Sequence, residues 1–164
     1  MSKIVQIFLA ICVLCIGLMA ENSASYPFVC KEKEIEQYAD FRFLAIGKTQ
    51  DGGFPNISID TQTIKIDRQS KIIEVWVLKF ASEKGRNTMI ESMNSRYSDF
   101  GYSKELTIFN YGKMHSGIKE VQNFRCDGSV IQSEDTLTPK MRNIAPYSMR
   151  DLIIQELMKK YKLN

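Results

Sequence analysis

The residue pattern predicts an α+β domain: an antiparallel β-sheet of about six strands, a C-terminal α-helix packed on one face, and a short inserted helix. Three observations predict it. Ile72 to Phe80 (I-I-E-V-W-V-L-K-F) is dense in β-branched and aromatic residues, with Glu74 and Lys79 as its only charges, which suits a central strand. Shorter runs around it repeat apolar residues with period two and are divided by turn formers. The final stretch of the chain instead repeats apolar residues at helical spacing, behind a proline and a capping serine.

A segment of another kind precedes the sheet. Lys3 is followed by an apolar run from Ile7 to Ala20 and then by small and polar residues through Ser25. A positive end, a short apolar core and a small-residue zone make up a secretory signal peptide. Residues 1–25 are therefore expected to be the signal peptide and 26–164 the exported domain. The apolar core of about 14 residues falls short of the roughly 20 that span a membrane. Cleavage after Ala20, Ala24 or Ser25 fits the pattern; an uncleaved N-terminal anchor is the competing reading. In both, the body of the chain leaves the cytoplasm for the cell surface, the periplasm or the medium, and the leader is its only membrane element.

Export gives the cysteines their meaning. Cys12 and Cys15 lie inside the leader core, where no fold surrounds them to lower a thiol pKa, and neither follows the small residue that a lipidation site wants. The exported part keeps Cys30 and Cys126, an even pair in an oxidising compartment. A Cys30–Cys126 disulfide would close a loop of about 95 residues, worth roughly 4–5 kcal/mol in loop-entropy models. Two unpaired, partly buried thiols are the alternative.

The elements follow in order. Phe41 to Lys48 reads as a strand, broken by Gln50-Asp51-Gly52-Gly53, whose glycines supply positive φ. Asn56 to Asp60 and Thr63 to Asp67 alternate through Ile57/Ile59 and Ile64/Ile66, and Arg68 to Lys71 turns into the Ile72–Phe80 strand. Thr88-Met89-Ile90-Glu91 has capping-box spacing and predicts the inserted helix, with Ile90, Met93 and Tyr97 on one side. Extended structure resumes at Glu105 to Tyr111 and Ile118 to Arg125. Asp127-Gly128 predicts a two-residue hairpin turn into Ser129 to Gln132, and a polar segment runs from Ser133 to Asn143. Pro146 then precedes a helix capped by Ser148, with Asp151 near its positive end and Lys159, Lys160 and Lys162 near its negative end. Its stripe of Met149, Ile153, Ile154, Leu157, Met158 and Tyr161 is expected on the sheet. A membrane-surface helix is the alternative.

Chemistry is sparse. The single histidine, His115, falls in Gly112 to Gly117, read as a hairpin tip with no group to orient a general base. One histidine and two cysteines at unrelated spacings make no zinc site. Gly52-Gly53 leads into no helix that would bind phosphate. Glycosidase-type reactions need only two carboxylates, but Glu32, Glu34, Glu36 and Asp40, and likewise Glu134-Asp135, sit in polar company that reads as solvated surface. Asp60 reads as a turn residue and Trp76 as core or part of a binding surface. No catalytic, cofactor-binding or metal-ligating residue is expected, and no cofactor. The chain holds 22 Lys+Arg against 19 Asp+Glu, interspersed, and loss of Lys3 and Glu21 with the leader leaves the balance unchanged. A surplus that small argues against a nucleic-acid partner.

Several segments, taken in order, resemble the surface-adhesin protein E-like domain family. They are Ile57-Ser58-Ile59-Asp60-Thr61-Gln62-Thr63-Ile64, Glu74-Val75-Trp76-Val77, Asp127-Gly128-Ser129-Val130-Ile131 and Asn143-Ile144-Ala145-Pro146-Tyr147-Ser148. Gly85-Arg86 and Tyr102-Ser103 are similar too. The resemblance spans about residues 38–160 and marks Asp60, Trp76, Gly128, Pro146 and Ser148 as family-like structural positions. It implies an antiparallel sheet with a packed C-terminal helix at the cell envelope or surface and, for the family's namesake, adhesion to host matrix proteins. The chain departs from the pattern in carrying Asn110 where a cysteine is often found. Its last helix also lacks cysteine, so the namesake's sheet-to-helix disulfide cannot form, and no adhesive contact residue carries over.

The leading functional expectation is thus a non-enzymatic secreted or cell-surface binding domain, its partner a protein of the host matrix or the envelope. A periplasmic or envelope accessory or inhibitor-like structural protein is the second. An enzyme with dispersed acids is the third, requiring Asp60, Glu74 or Glu134 to converge in a pocket. A homodimer through an uncovered sheet face is compatible with all three.

Overall fold

The computed structural model describes residues 29–30, 43–47, 53–54 and 56–164. The expected signal peptide, the acidic positions Glu32, Glu34, Glu36 and Asp40, and the turn residues Gln50, Asp51 and Gly52 lie outside the described residues. The elements are β1 (Phe43–Gly47), β2 (Asn56–Asp60), β3 (Lys65–Asp67), β4 (Ile72–Phe80), α1 (Glu83–Ser92), a 3-10 turn (Ser95–Tyr97), β5 (Phe100–Asn110), β6 (His115–Arg125), β7 (Val130–Asp135), β8 (Arg142–Asn143) and α2 (Met149–Tyr161). All strand pairs are antiparallel, and the class is α+β as expected.

The eight strands form one sheet whose main path is β1-β2-β4-β5-β6-β7. β2 and β3 share one edge of β4, and β7 and β8 share the outer edge of β6. The run expected at Thr63 to Asp67 is the short strand β3, off the long path, and β8 is the one strand that the sequence pattern did not announce. β4 alternates strictly between faces. Ile73, Val75 and Val77 turn to one face and join Ile57, Ile59, Phe109 and the buried α2 residues Ile153, Ile154 and Leu157. Leu78 and Phe80 turn to the other, with Tyr102, Phe124 and Cys30. The stripe of α2 is therefore core, not a membrane-facing surface.

α2 has the expected boundaries. The backbone N–H of Asp151 donates to Ser148 Oγ at 3.3 Å, and the N–H of Tyr147 donates to Asp151 Oδ2 at 2.8 Å. Tyr147 lies at φ 60°, one residue after Pro146, and the N–H of Ser148 donates to Ala145 O. That is a type II turn, with proline at its second position and a left-handed residue at its third. At the other end Lys162 is left-handed and the N–H of Leu163 donates to Met158 O at 3.0 Å, closing the helix as a C-terminal cap does.

Four expectations need correction. The inserted helix starts at Glu83, not Thr88: Ser82 caps it, accepting from the N–H of Gly85 at 3.2 Å. Gly85 fixes that start, because a Cβ there would stand 2.1 Å from Gly53 O. Thr88 instead donates to Lys84 O inside the helix. Asn94 then opens the 3-10 turn by accepting from the N–H of Arg96, so Tyr97 lies beyond the helix. The Asp127-Gly128 hairpin is present, but its bend centres on Cys126-Asp127: the N–H of Gly128 donates to Arg125 O, and of the two only Gly128 has positive φ, at 87°. His115 is no tip residue, since it pairs with Asn110 and Asn143 at the start of β6. Finally, the polar segment from Ser133 to Asn143 holds the end of β7 and all of β8.

Cys30 and Cys126 are joined, with Cα atoms 5.2 Å apart. The bond lies across Gly101, where a Cβ would stand 2.5 Å from one sulfur and 2.8 Å from the other. A bulge in the β5–β6 pairing at Phe100/Tyr102 leaves that glycine beneath the bridge.

Candidate functional site

Strand register decides which side chains share a surface. On the helix-covered face, β4, β5, β6 and β7 contribute Lys79, Ser103 and Glu105, Val121 and Asn123, and Gln132 and Glu134 respectively. Phe54, Met89, Met93 and Phe100 stand beside these groups and enclose a cleft of about 300 Å³. One wall is therefore apolar and adaptable, since methionine side chains repack at little cost, and the floor is polar.

The floor is held in place by its own bonds. Lys79 and Glu105 form an ion pair with side chains 23% and 15% exposed, and Lys79 Nζ lies 5.9 Å from the centre of the Phe54 ring. Asn123 Nδ2 donates to the hydroxyl of buried Tyr97 at 3.2 Å, and that hydroxyl donates to Gln132 Oε1 at 2.7 Å. Gln132 Nε2 in turn donates to Glu134. A connected polar chain of this kind fixes the orientation of each member, and here it runs from the core to the last strand of the sheet.

β7 is that last strand. Among the described residues only β6 pairs with it, so its outer N–H and C=O groups form an unpaired edge. Val130 on β7 and Met93 at the end of α1 are 53% and 48% exposed.

The opposite face of the sheet carries a second hollow, of about 220 Å³, lined by Asp60, Thr63, Trp76, Leu78, Lys104 and Gln122. Trp76 is half-buried there. Asp60 is 5% exposed and is a turn residue as expected: the N–H of Gln62 donates to its Oδ1 at 2.9 Å. Burial pushes the Lys104 ammonium below the usual lysine range, and the Asp60 carboxylate partly offsets the shift. Lys104 also lies 5.2 Å from the centre of the Phe124 ring.

The three carboxylates named as a possible reaction centre do not converge. Asp60 and Glu74 belong to one face of the sheet and Glu134 to the other. Glu74 is held by Lys119 at 2.9 Å and Lys65 at 3.9 Å. The family-like positions take structural places: Gly128 in its turn, Pro146 and Ser148 at the start of α2. Sequence reasoning missed the cleft. Its one signal was Lys79, a charge inside an otherwise apolar strand that needed a partner; the partner, Glu105, lies 26 residues away.

No helix among the described residues is long and apolar enough to cross a membrane. No family model and no curated protein matches the chain. Among solved structures, Haemophilus influenzae protein E is similar at 14% identity and a TM-score of 0.46, over 71% of this chain and 85% of that one. A second crystal form of the same protein is similar at 15% identity and a TM-score of 0.43, over 73% of this chain and 98% of that one.

Proposed function

We propose that the chain is a non-enzymatic, secreted or cell-surface protein-binding domain of adhesin-like character. The observation that carries the reading is the cleft of Phe54, Met89, Met93 and Phe100, which opens beside the unpaired edge of β7 over a fixed polar floor. An apolar wall with a few oriented polar groups is the usual make-up of a recognition site. The leader at 1–25 and the Cys30–Cys126 bridge both suit an oxidising, exported setting, and the separation of Asp60, Glu74 and Glu134 supports a binding role over acid–base chemistry.

The test displays the intact protein on cells and measures attachment to purified host matrix proteins and to isolated envelope components, with and without external protease. Gain of attachment that protease removes is expected. A displayed protein that gains no attachment to either class overturns the reading, whereas a protein shielded from protease that still binds an envelope component belongs to the accessory role.

A further inference from the structure

We infer that β7 and the adjoining cleft bind an extended segment of a partner protein by strand addition, the segment carrying an apolar side chain two positions from a lysine or arginine, so that both turn to the cleft face that holds Glu134. The inference rests on the protein-binding reading above and names the partner's chemistry. Three independent features of one corner of the molecule converge on it. The outer edge of Val130–Asp135 offers a row of backbone donors and acceptors without a strand beside it among the described residues, the template that an added strand uses. Successive side chains of such a strand alternate between the two faces, so every second one turns toward the cleft between Met93 and Gln132. That gives a pocket for one apolar residue.

Charge selects the flanking residues. Glu134 and Asp135 end β7, and among the described residues no cation pairs with either. Glu134 is also oriented by the Tyr97–Gln132 chain, so its carboxylate stands at the edge before a partner arrives. A basic residue in the added strand completes it; an acidic one meets like charge. A second copy of this chain, pairing β7 with β7, would bring two further carboxylates to the same edge, which disfavours self-association there.

The experiment selects random heptapeptides displayed on phage against the exported protein, then measures binding of the enriched peptides by calorimetry and amide hydrogen exchange. Enriched sequences are expected to place lysine or arginine two positions from an apolar residue, and to bind Glu134→Lys and Met93→Glu at least tenfold more weakly, with both variants keeping the wild-type melting temperature within a few degrees. Exchange of the β7 amides is expected to slow on binding. Absence of enrichment, equal binding to both variants, unchanged β7 exchange, or a dimer that already protects β7 overturns the inference. Attachment in the display assay that survives both substitutions removes this inference and leaves the protein-binding reading standing.

Discussion

Ser116 is 1% exposed on the helix-covered face, and its hydroxyl has no hydrogen-bond partner. A buried hydroxyl left unpaired loses its hydration for nothing in return. Ser116→Ala is therefore expected to stabilise the fold by about 1 kcal/mol, read as a higher midpoint in urea unfolding. Turn carboxylates show the opposite case. Asp67 accepts from the Ser70 hydroxyl and from the backbone N–H groups of Ser70 and Gln69, and these bonds, the hydroxyl foremost, hold its carboxyl below the usual 3.8. A carboxyl lowered in the folded state contributes stability above its unfolded pKa and loses it as pH falls through the folded value. Ser70→Ala is expected to move the Asp67 titration midpoint back toward 3.8, observed by carboxyl chemical shifts; an unmoved midpoint would refute the assignment.

Between elements, the Lys79–Glu105 pair links β4 to β5 under the cleft. Both groups are largely shielded, so removing one leaves the other charged in a poorly solvated place. Glu105→Leu is expected to destabilise by about 2 kcal/mol, less than a fully buried pair would lose, because water still reaches Lys79. Lys79→Met with Glu105→Leu should recover most of that loss. A double-mutant cycle checks it, and additive effects would mean that the pair is not coupled. The α1 start teaches a related lesson. Thr88-x-x-Glu91 and Ser82 both offer a cap, and the decision falls to Gly85, whose missing side chain lets the helix rest on Gly53. Capping patterns are local, whereas that contact joins residues 32 apart in sequence, so the pattern alone chose the wrong start.

For the molecule as a whole, the Cys30–Cys126 bond ties the chain's early arm to the β6–β7 hairpin, 96 residues on. Reduction, or Cys126→Ser, is expected to lower unfolding stability by roughly 4 kcal/mol, measured by denaturant melts with and without reductant. Gly101→Ala should weaken the fold as well, since its Cβ would meet both sulfurs and the bridge must move aside. Equal stability of the reduced and oxidised forms would show that the bond restrains little of the unfolded chain.

The sequence by itself determined the α+β class, the exact spans of β2 and β4, the α2 helix with its Ser148 cap, and Cys30 and Cys126 as a candidate pair. Each depends on local periodicity, capping or parity, which neighbouring residues carry. Only the tertiary structure decided β8, the start of α1, the place of His115 in a ladder, and the cleft. Those depend on register: antiparallel pairing sets Lys79 near Glu105 and Asn123 opposite Gln132, and no nearest-neighbour pattern encodes which distant residues will meet.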